Sequence, residues 1–279
     1  MSKAAELRLA LLSLLEEHER DGMIPTSSRF LFYELVGRGI VSKEGARPDN
    51  PVIAALTQLR KTNQVPWHWI ADETRSVSDF TGYVSVKEGM LARLPSTCID
   101  PWNGMAPFVI TESRSLAGAL ENVAGDYRVL IAATNGQCGG FLHTDIRPRL
   151  GYGTKQRLVL YMGDFDLAGN DIEANTRKVL GYGMKIFGQE TGSEYDSHWE
   201  RIALTESQVD SYGLEPIIKN DRRFSGEDGV HEAVETEALS QLVITQILED
   251  KLSELLPEPL ESVLAREEAE RAEISRLLD

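Results

Sequence analysis

The spacing of hydrophobic residues divides the chain into a helical N-terminal part, a middle part in which strands and helices alternate, and a helical end. Near the N-terminus, apolar residues recur every three or four positions, which predicts helices over residues 3–20, 29–37 and about 51–62. Asn50-Pro51 is a typical helix start, an N-cap followed by proline at the first helical position. The segment VPWHWIADETR then predicts a short β element with a turn.

Helices followed by a small β element are typical of a winged helix-turn-helix, in which one helix enters a DNA groove. The third predicted helix ends in Arg60 and Lys61, which makes these two residues candidates for DNA binding. The alternative is a small helical cap without a DNA role, and the pattern leaves both interpretations open.

Periodicity is lost over residues 94–107, where Pro, Gly and Ser recur, and this predicts a linker. We therefore expect two units, residues 1–95 and 105–279. The alternation in the second unit favours an α/β fold with a parallel sheet. Its expected elements are strands at residues 108–111, 128–133, 158–162 and 198–204, helices at 115–123 and 168–180, and a glycine-rich turn at 135–140.

Three acidic residues follow the predicted strands. Glu112 ends the first strand, and Asp164 and Asp166 come after the third. Because the carboxyl ends of parallel strands lie at one edge of the sheet, we expect these carboxylates to converge there. Carboxylates repel one another unless a cation lies between them, and hard oxygen ligands favour Mg²⁺, with Mn²⁺ also possible. The alternative is one helix-capping and one turn aspartate.

The end of the chain, residues 235–279, predicts two helices separated around Pro257 and Pro259. The first carries an apolar stripe suited to packing or self-association. The stripe consists of Leu239, Leu242, Val243, Ile247 and Leu252.

Composition limits the classes of protein to consider. The chain has 42% hydrophobic and 26% charged residues, as in ordinary soluble globular proteins. Its net charge of −15 comes almost entirely from residues 206–279, so the remainder can hold a local DNA-binding groove. The chain contains no run of about 18 apolar residues, so we expect no membrane span. Glutamates interrupt the N-terminal segment, which favours an amphipathic helix over a signal peptide, and two cysteines favour a reducing cytoplasm.

The acidic positions, the turn NGQCGG and the strand–helix order resemble the Toprim domain of topoisomerases, primases and some nucleases. Arg29 and Tyr33 lie four residues apart on one helix face, just after a Thr/Ser turn. This pair resembles the active-site motif of the topoisomerase VI A subunit and the meiotic double-strand-break proteins. Asp164-x-Asp166-x-x-Gly169 also resembles their form of the metal motif, and the resemblance covers roughly residues 20–205.

The resemblance implies a CAP-type winged helix that carries the nucleophile Tyr33, with Arg29 as its phosphate partner. It implies Mg²⁺ at Glu112, Asp164 and Asp166, and attack on double-stranded DNA that leaves a phosphotyrosyl link. It further implies a homodimer with sites shared between subunits, a possible separate ATPase subunit of the B type, and a cytoplasmic location at the nucleoid.

Two other classes of protein remain open. One is a metal-dependent Toprim nuclease of the defence or plasmid- and phage-related type, in which water attacks and Tyr33 is a packing residue. The other is a non-catalytic DNA-binding module whose carboxylates are structural.

Overall fold

A computed structural model describes residues 3–45, 47–71, 81–136, 138–151, 157–182, 198–220 and 230–278. Its α-helices are α1 Lys3–Arg20, α2 Ser28–Gly37, α3 Asn50–Lys61, α4 Val86–Arg93, α5 Arg114–Asp126, α6 Gly139–Phe141, α7 Arg147–Leu150, α8 Leu167–Leu180, α9 Glu206–Tyr212, α10 Gln241–Leu255 and α11 Leu260–Leu278. Its strands are β1 Phe108–Thr111, β2 Leu130–Ala133, β3 Val159–Met162, β4 Trp199–Ala203, β5 Ile217–Asn220 and β6 Val230–Ala233.

A four-stranded parallel sheet in the order β2-β1-β3-β4 forms the centre of the molecule, which confirms the predicted α/β class. The two central strands, β1 and β3, are buried throughout, as expected for strands covered on both faces. Alternate residues of β3 enter two cores: Leu160 joins the core that contains α5 and α10, and Tyr161 joins the core on the opposite face. Strands β5 and β6 form a separate antiparallel pair.

The N-terminal helices have a core of their own. Leu11, Leu14 and Leu15 of α1 are fully buried and pack with apolar residues of α2 and α3. The side chain of Ser27 caps α2 by accepting a hydrogen bond from the Phe30 backbone nitrogen at 3.2 Å. This cap fixes the start of α2, the helix that carries both Arg29 and Tyr33.

Helix α2 also joins this helical unit to the sheet. The Ser27 and Ser115 hydroxyls lie 2.6 Å apart, and the Thr26 hydroxyl donates to the Gln241 side chain at 2.6 Å. Phe30 is fully buried in the sheet-side core. The first turn of α2 therefore faces the ends of the strands.

Several local predictions were wrong. The predicted β element after α3, residues 65–75, contains a 3₁₀ turn, Trp67–Trp69, and Ile70 makes only an isolated bridge with Thr26; residues 72–75 of that prediction lie outside the described residues. The hydrophobic pattern did not predict α4, α9 or the β5–β6 pair. It also missed the helix that follows the glycine-rich turn, in which α6, a π-helix over Leu142–Ile146 and α7 run on consecutively.

The apolar stripe predicted for self-association largely packs inside the chain. Leu239 and Leu252 are buried in the sheet-side core, where α10 contacts α5 and β4, whereas Leu242 is 48% exposed. The fully buried face of α10 is formed by Ile244, Leu248 and Leu252, because these residues follow the helical period more closely than the predicted set. Across the described ranges, no helix has both the length and the apolar character that crossing a bilayer requires.

Candidate functional site

The register of the sheet brings Glu112 and Asp164 together. Thr111 pairs with Met162, and the backbone nitrogen of Glu112 donates to the Met162 carbonyl at 2.9 Å. The Asp164 backbone nitrogen then donates to Glu112 Oε2 at 3.0 Å. Both residues line one cavity of about 180 Å³ at the carboxyl ends of the strands. We call this the carboxylate cavity.

Asp166 has a different position. It is 6% exposed and caps α8, with Oδ1 accepting a hydrogen bond from the Gly169 backbone nitrogen at 2.6 Å. It does not line the carboxylate cavity. Strand β3 ends at Met162, so the two-residue alternation of a strand does not extend to Asp166. The structure therefore brings together two of the three predicted carboxylates, and the third has the helix-capping role of the alternative interpretation.

Hydrogen bonds from Arg201 and close packing at Gly169 fix the backbone of the loop that follows β3. The Arg201 guanidinium donates to the carbonyl oxygens of Gly163, Asp164 and Leu204 at 2.9–3.3 Å and pairs with Glu173 at 2.8 Å. A Cβ on Gly169 would lie 2.4 Å from the Asp164 carbonyl oxygen, so only glycine fits there. The backbone of Asp164 is thus fixed independently of its carboxylate.

The glycine-rich turn forms another wall of the carboxylate cavity. Asn135 and Gly136 line it, and both have positive φ angles, of 51° and 87°. The Asn135 backbone nitrogen donates to the Glu112 carbonyl at 2.8 Å. Gln137 lies outside the described residues.

A segment that sequence reasoning missed completes the site. Three consecutive residues, Glu235, Thr236 and Glu237, follow β6 and are hereafter the ETE segment. Thr236 donates to Asp164 Oδ1 from its backbone nitrogen at 2.9 Å and from its hydroxyl at 3.2 Å. The only available signal was the placement of two glutamates directly after the apolar end of a strand. The hydrophobic pattern instead predicts these residues to be part of the helical end of the chain.

Glu237 holds Arg29 at the carboxylate cavity. Arg29 Nε lies 2.9 Å from Glu237 Oε1; the guanidinium side chain is 44% exposed, whereas that of Glu237 is 1% exposed. The Ser113 hydroxyl donates to the same oxygen at 2.7 Å. Burial raises the pKa of Glu237, the Arg29 charge opposes this shift, and the Asp164 charge adds to it. Among the described residues, three acidic side chains, Glu112, Asp164 and Glu237, and one basic side chain, Arg29, line the cavity.

Tyr33 lies in an adjoining cavity of about 240 Å³, and Arg29 lines both cavities. Its phenol donates a hydrogen bond to the Glu235 carboxylate. Its ring lies 5.6 Å from the Arg29 guanidinium carbon and 4.4 Å from Lys43 Nζ. Burial, followed by the bond to Glu235, raises the pKa of Tyr33, and the Arg29 charge does not reverse this shift.

The two candidate DNA-binding residues, Arg60 and Lys61, differ in the contacts that their side chains make. The Arg60 guanidinium stacks on the Trp67 ring at 4.2 Å and donates to the Trp67 carbonyl oxygen at 2.9 Å. Lys61 is exposed at the end of α3. Lys61 therefore presents its charge to solvent, while Arg60 supports the following turn.

No group of three or more His, Cys, Asp or Glu side chains suited to a metal ion occurs within the described ranges. No protein-family model matches the chain, and no curated protein or solved structure shows a significant match to it.

Proposed function

We propose that the protein cleaves DNA by transesterification in the manner of the topoisomerase VI A subunit. In this proposal Tyr33 is the nucleophile, Arg29 binds the scissile phosphate, and Glu112 and Asp164 hold a divalent cation. The single observation that carries the proposal is the position of Arg29, which lines both the carboxylate cavity and the Tyr33 cavity of one chain. A phosphate bound to this guanidinium would lie between the nucleophile and the carboxylates.

The donor set of the carboxylate cavity fits Mg²⁺ or Mn²⁺. Mg²⁺ is typically held by one or two protein carboxylates together with waters and substrate phosphates, so Glu112 and Asp164 suffice without a third acidic ligand. The cavity contains a surplus of negative charge, since Glu237 is buried beside Asp164 and Arg29 is the positive residue that lines it. When bound, a divalent cation supplies charge stabilisation for the phosphate and the leaving oxygen.

The chain's own residues then have distinct tasks. Arg29 exchanges its bond to Glu237 for two bonds to the phosphate oxygens, since a guanidinium matches phosphate geometry. The Tyr33 oxygen forms a bond to phosphorus, the bond to the leaving DNA oxygen breaks, and that oxygen takes a proton from solvent. The phenol proton passes to Glu235, which already accepts its hydrogen bond. Glu235 thereby offsets the high pKa of Tyr33.

A metal-dependent nuclease in which water attacks is the second candidate. Two observations favour it: Tyr33 does not line the carboxylate cavity, and its ring packs against the N-terminal core. In that case Arg29 and the carboxylates keep their roles and Tyr33 is structural. The two candidates differ in whether the product carries a protein–DNA link.

The proposed partner is double-stranded DNA, bound in part by the exposed end of α3 at Lys61. We further propose a homodimer, as the resemblance implies, but with each site formed within one chain instead of shared between subunits, because Arg29 lines both cavities of the same chain. Because the α10 stripe is occupied within the chain, the dimer contact must use another surface. Sedimentation of the protein at micromolar concentration, with and without DNA, tests this, and a monomer under both conditions would contradict it.

Cleavage of supercoiled plasmid in the presence of Mg²⁺ tests the metal-dependent part of the proposal. We expect the wild type to nick or linearise the plasmid, and Asp164→Asn to act at least about 100-fold more slowly. Asp210→Asn, the same change at an exposed residue of α9, is the matched control and should retain full activity. Cleavage by Asp164→Asn at the wild-type rate would overturn the proposal.

A further inference from the structure

Tyr161 carries a buried hydroxyl that the packing of the sheet does not explain. The residue is fully buried in β3, and within the described part of the chain its hydroxyl has no hydrogen-bond partner. A buried polar atom without a partner costs free energy, and tyrosine hydroxyls normally find one. Phenylalanine would fill the same space without that cost. Packing of the core therefore does not explain why this position carries a hydroxyl, which suggests that the hydroxyl has another role.

Two neighbouring side chains pack against the ring of Tyr161. It stacks on Trp199 with ring centroids 5.6 Å apart and an interplanar angle of 28°. The guanidinium carbon of Arg201 lies 5.4 Å from its centroid. Arg201 is the residue that also holds the carbonyl oxygens of Gly163 and Asp164. Arg201 thus contacts both the phenol ring of Tyr161 and the loop that lines the carboxylate cavity.

The hydroxyl lies close to the Glu112 carboxylate. The space beside Gly163 shows this, because a Cβ built there would lie 2.8 Å from the Tyr161 hydroxyl and 3.0 Å from Glu112 Oε2. Both oxygens thus border the space that the absence of a side chain leaves at Gly163. The Glu112 charge also contributes to raising the pKa of Tyr161, after burial, so the phenol stays neutral and remains a donor.

We propose that Tyr161 is a positioning residue of the metal site: once a cation is bound, its hydroxyl donates to Glu112, directly or through one water, and orients this carboxylate toward the cation. The inference rests on the proposed function, since it assumes that Glu112 is a metal ligand. Groups that orient ligating carboxylates commonly change metal affinity roughly 10- to 100-fold when they are removed.

Calorimetric titration of the full-length protein with Mn²⁺ tests the inference. Tyr161→Phe is expected to bind Mn²⁺ at least about 10-fold more weakly than the wild type. Its melting temperature without metal should equal or exceed that of the wild type, because the lost hydroxyl makes no bond within the described chain. A purely structural role would not separate metal affinity from stability in this way.

Tyr182→Phe is the matched control. Tyr182 packs edge-to-face on the same Trp199 ring at 5.4 Å, and its hydroxyl donates to the Arg157 carbonyl oxygen at 2.7 Å. Its loss should lower the melting temperature and leave Mn²⁺ affinity unchanged. Gly163→Ala, which would crowd both Tyr161 and Glu112, should weaken Mn²⁺ binding as Tyr161→Phe does.

The outcomes separate the two proposals. Equal Mn²⁺ affinity of Tyr161→Phe and the wild type would overturn the role of Tyr161 and leave the metal site standing. Failure of the wild type to bind Mn²⁺ would overturn the metal site and, with it, this inference.

Discussion

Thr236 donates two hydrogen bonds to Asp164 Oδ1, one from its backbone nitrogen at 2.9 Å and one from its hydroxyl at 3.2 Å. The two residues are 72 positions apart in the chain. The same short ETE segment binds Arg29 through Glu237 and Tyr33 through Glu235. One stretch of three residues therefore links α2 to the edge of the sheet and sets the relative positions of the candidate site residues.

Removal of the Thr236 hydroxyl should reduce stability by about 1–2 kcal/mol, because hydrogen bonds to charged groups contribute more than neutral ones. Thr236→Val keeps the shape of the side chain and removes this donor. The control is Thr245→Val, since the Thr245 hydroxyl is buried without a partner in the described structure. Urea unfolding should show a loss for Thr236→Val only, and equal stabilities of the two variants would refute the importance of this bond.

Arg29→Ala should destabilise the protein by about 2 kcal/mol at pH 7, because it leaves the buried Glu237 carboxylate without its cation. This estimate lies below the usual cost for a buried pair because Arg29 is 44% exposed. The double variant Arg29→Ala/Glu237→Gln, which removes the unpaired charge, should recover part of the loss.

The loss in Arg29→Ala should also depend on pH. The pKa of Glu237 is already raised by burial, and removal of the opposing Arg29 charge raises it further. A folded state with a raised pKa binds its proton more readily than the unfolded chain, so its stability improves as pH falls. Denaturation at pH 7 and pH 5 should therefore show a smaller difference from the wild type at pH 5; a constant difference would argue against the raised pKa.

Glu267 should contribute stability that is lost in acid. It is 2% exposed and accepts from the Ile99 backbone nitrogen at 2.9 Å and from Arg271 at 2.8 Å. Burial, the largest influence, opposes its ionisation, but the Ile99 bond, the charge and hydrogen bond of Arg128 and the charge of Arg271 together lower the pKa of Glu267. This stability is present above the ordinary pKa of 4.5 and declines as pH falls below it.

Glu267→Gln tests this directly. At pH 7 the variant should be less stable than the wild type by about 2 kcal/mol, and the difference should narrow below pH 4.5. Thermal melts across this range measure the effect. A difference that is the same at pH 7 and pH 3.5 would show that the ionised carboxylate is not the stabilising species.

Lys61→Ala should weaken DNA binding uniformly across sequences and lower the slope of log affinity against log salt by about 1, as loss of one phosphate contact does. Lys178→Ala removes an exposed lysine from α8 of the sheet unit and is the control. Fluorescence anisotropy with a labelled duplex at several salt concentrations provides both slopes. An unchanged slope for Lys61→Ala would remove this residue from the proposed interface.

Much of the sheet could be predicted because its central strands are continuous apolar runs. The continuous apolar run from Leu158 to Met162 predicts a buried strand. The alternation of strands and helices around it then predicts a parallel sheet. Helix α4 has no buried residue and so shows no apolar periodicity. The helical stretch after the glycine-rich turn is interrupted by a π-helix and begins with two glycines, which obscured its pattern.

The site was predictable only where strand geometry determines it. Glu112 and Asp164 meet because neighbouring parallel strands end at the same edge. Asp166 lies beyond the last residue of β3, where helix capping decides the direction of the side chain. The ETE segment comes from a distant part of the chain, and its contacts depend on tertiary packing that no local spacing encodes.

Trapping of protein-linked DNA ends tests the central claim most directly. End-labelled duplex DNA is incubated with the protein and Mg²⁺, denatured, and separated by electrophoresis, and the linked peptide is identified by mass spectrometry. We expect the wild type and the control Tyr212→Phe, a change at a tyrosine 49% exposed on α9, to form an adduct, located at Tyr33 in the wild type. Tyr33→Phe should fold, bind metal and form neither adduct nor cut. Cleavage by Tyr33→Phe at the wild-type rate would contradict the account and identify water as the nucleophile.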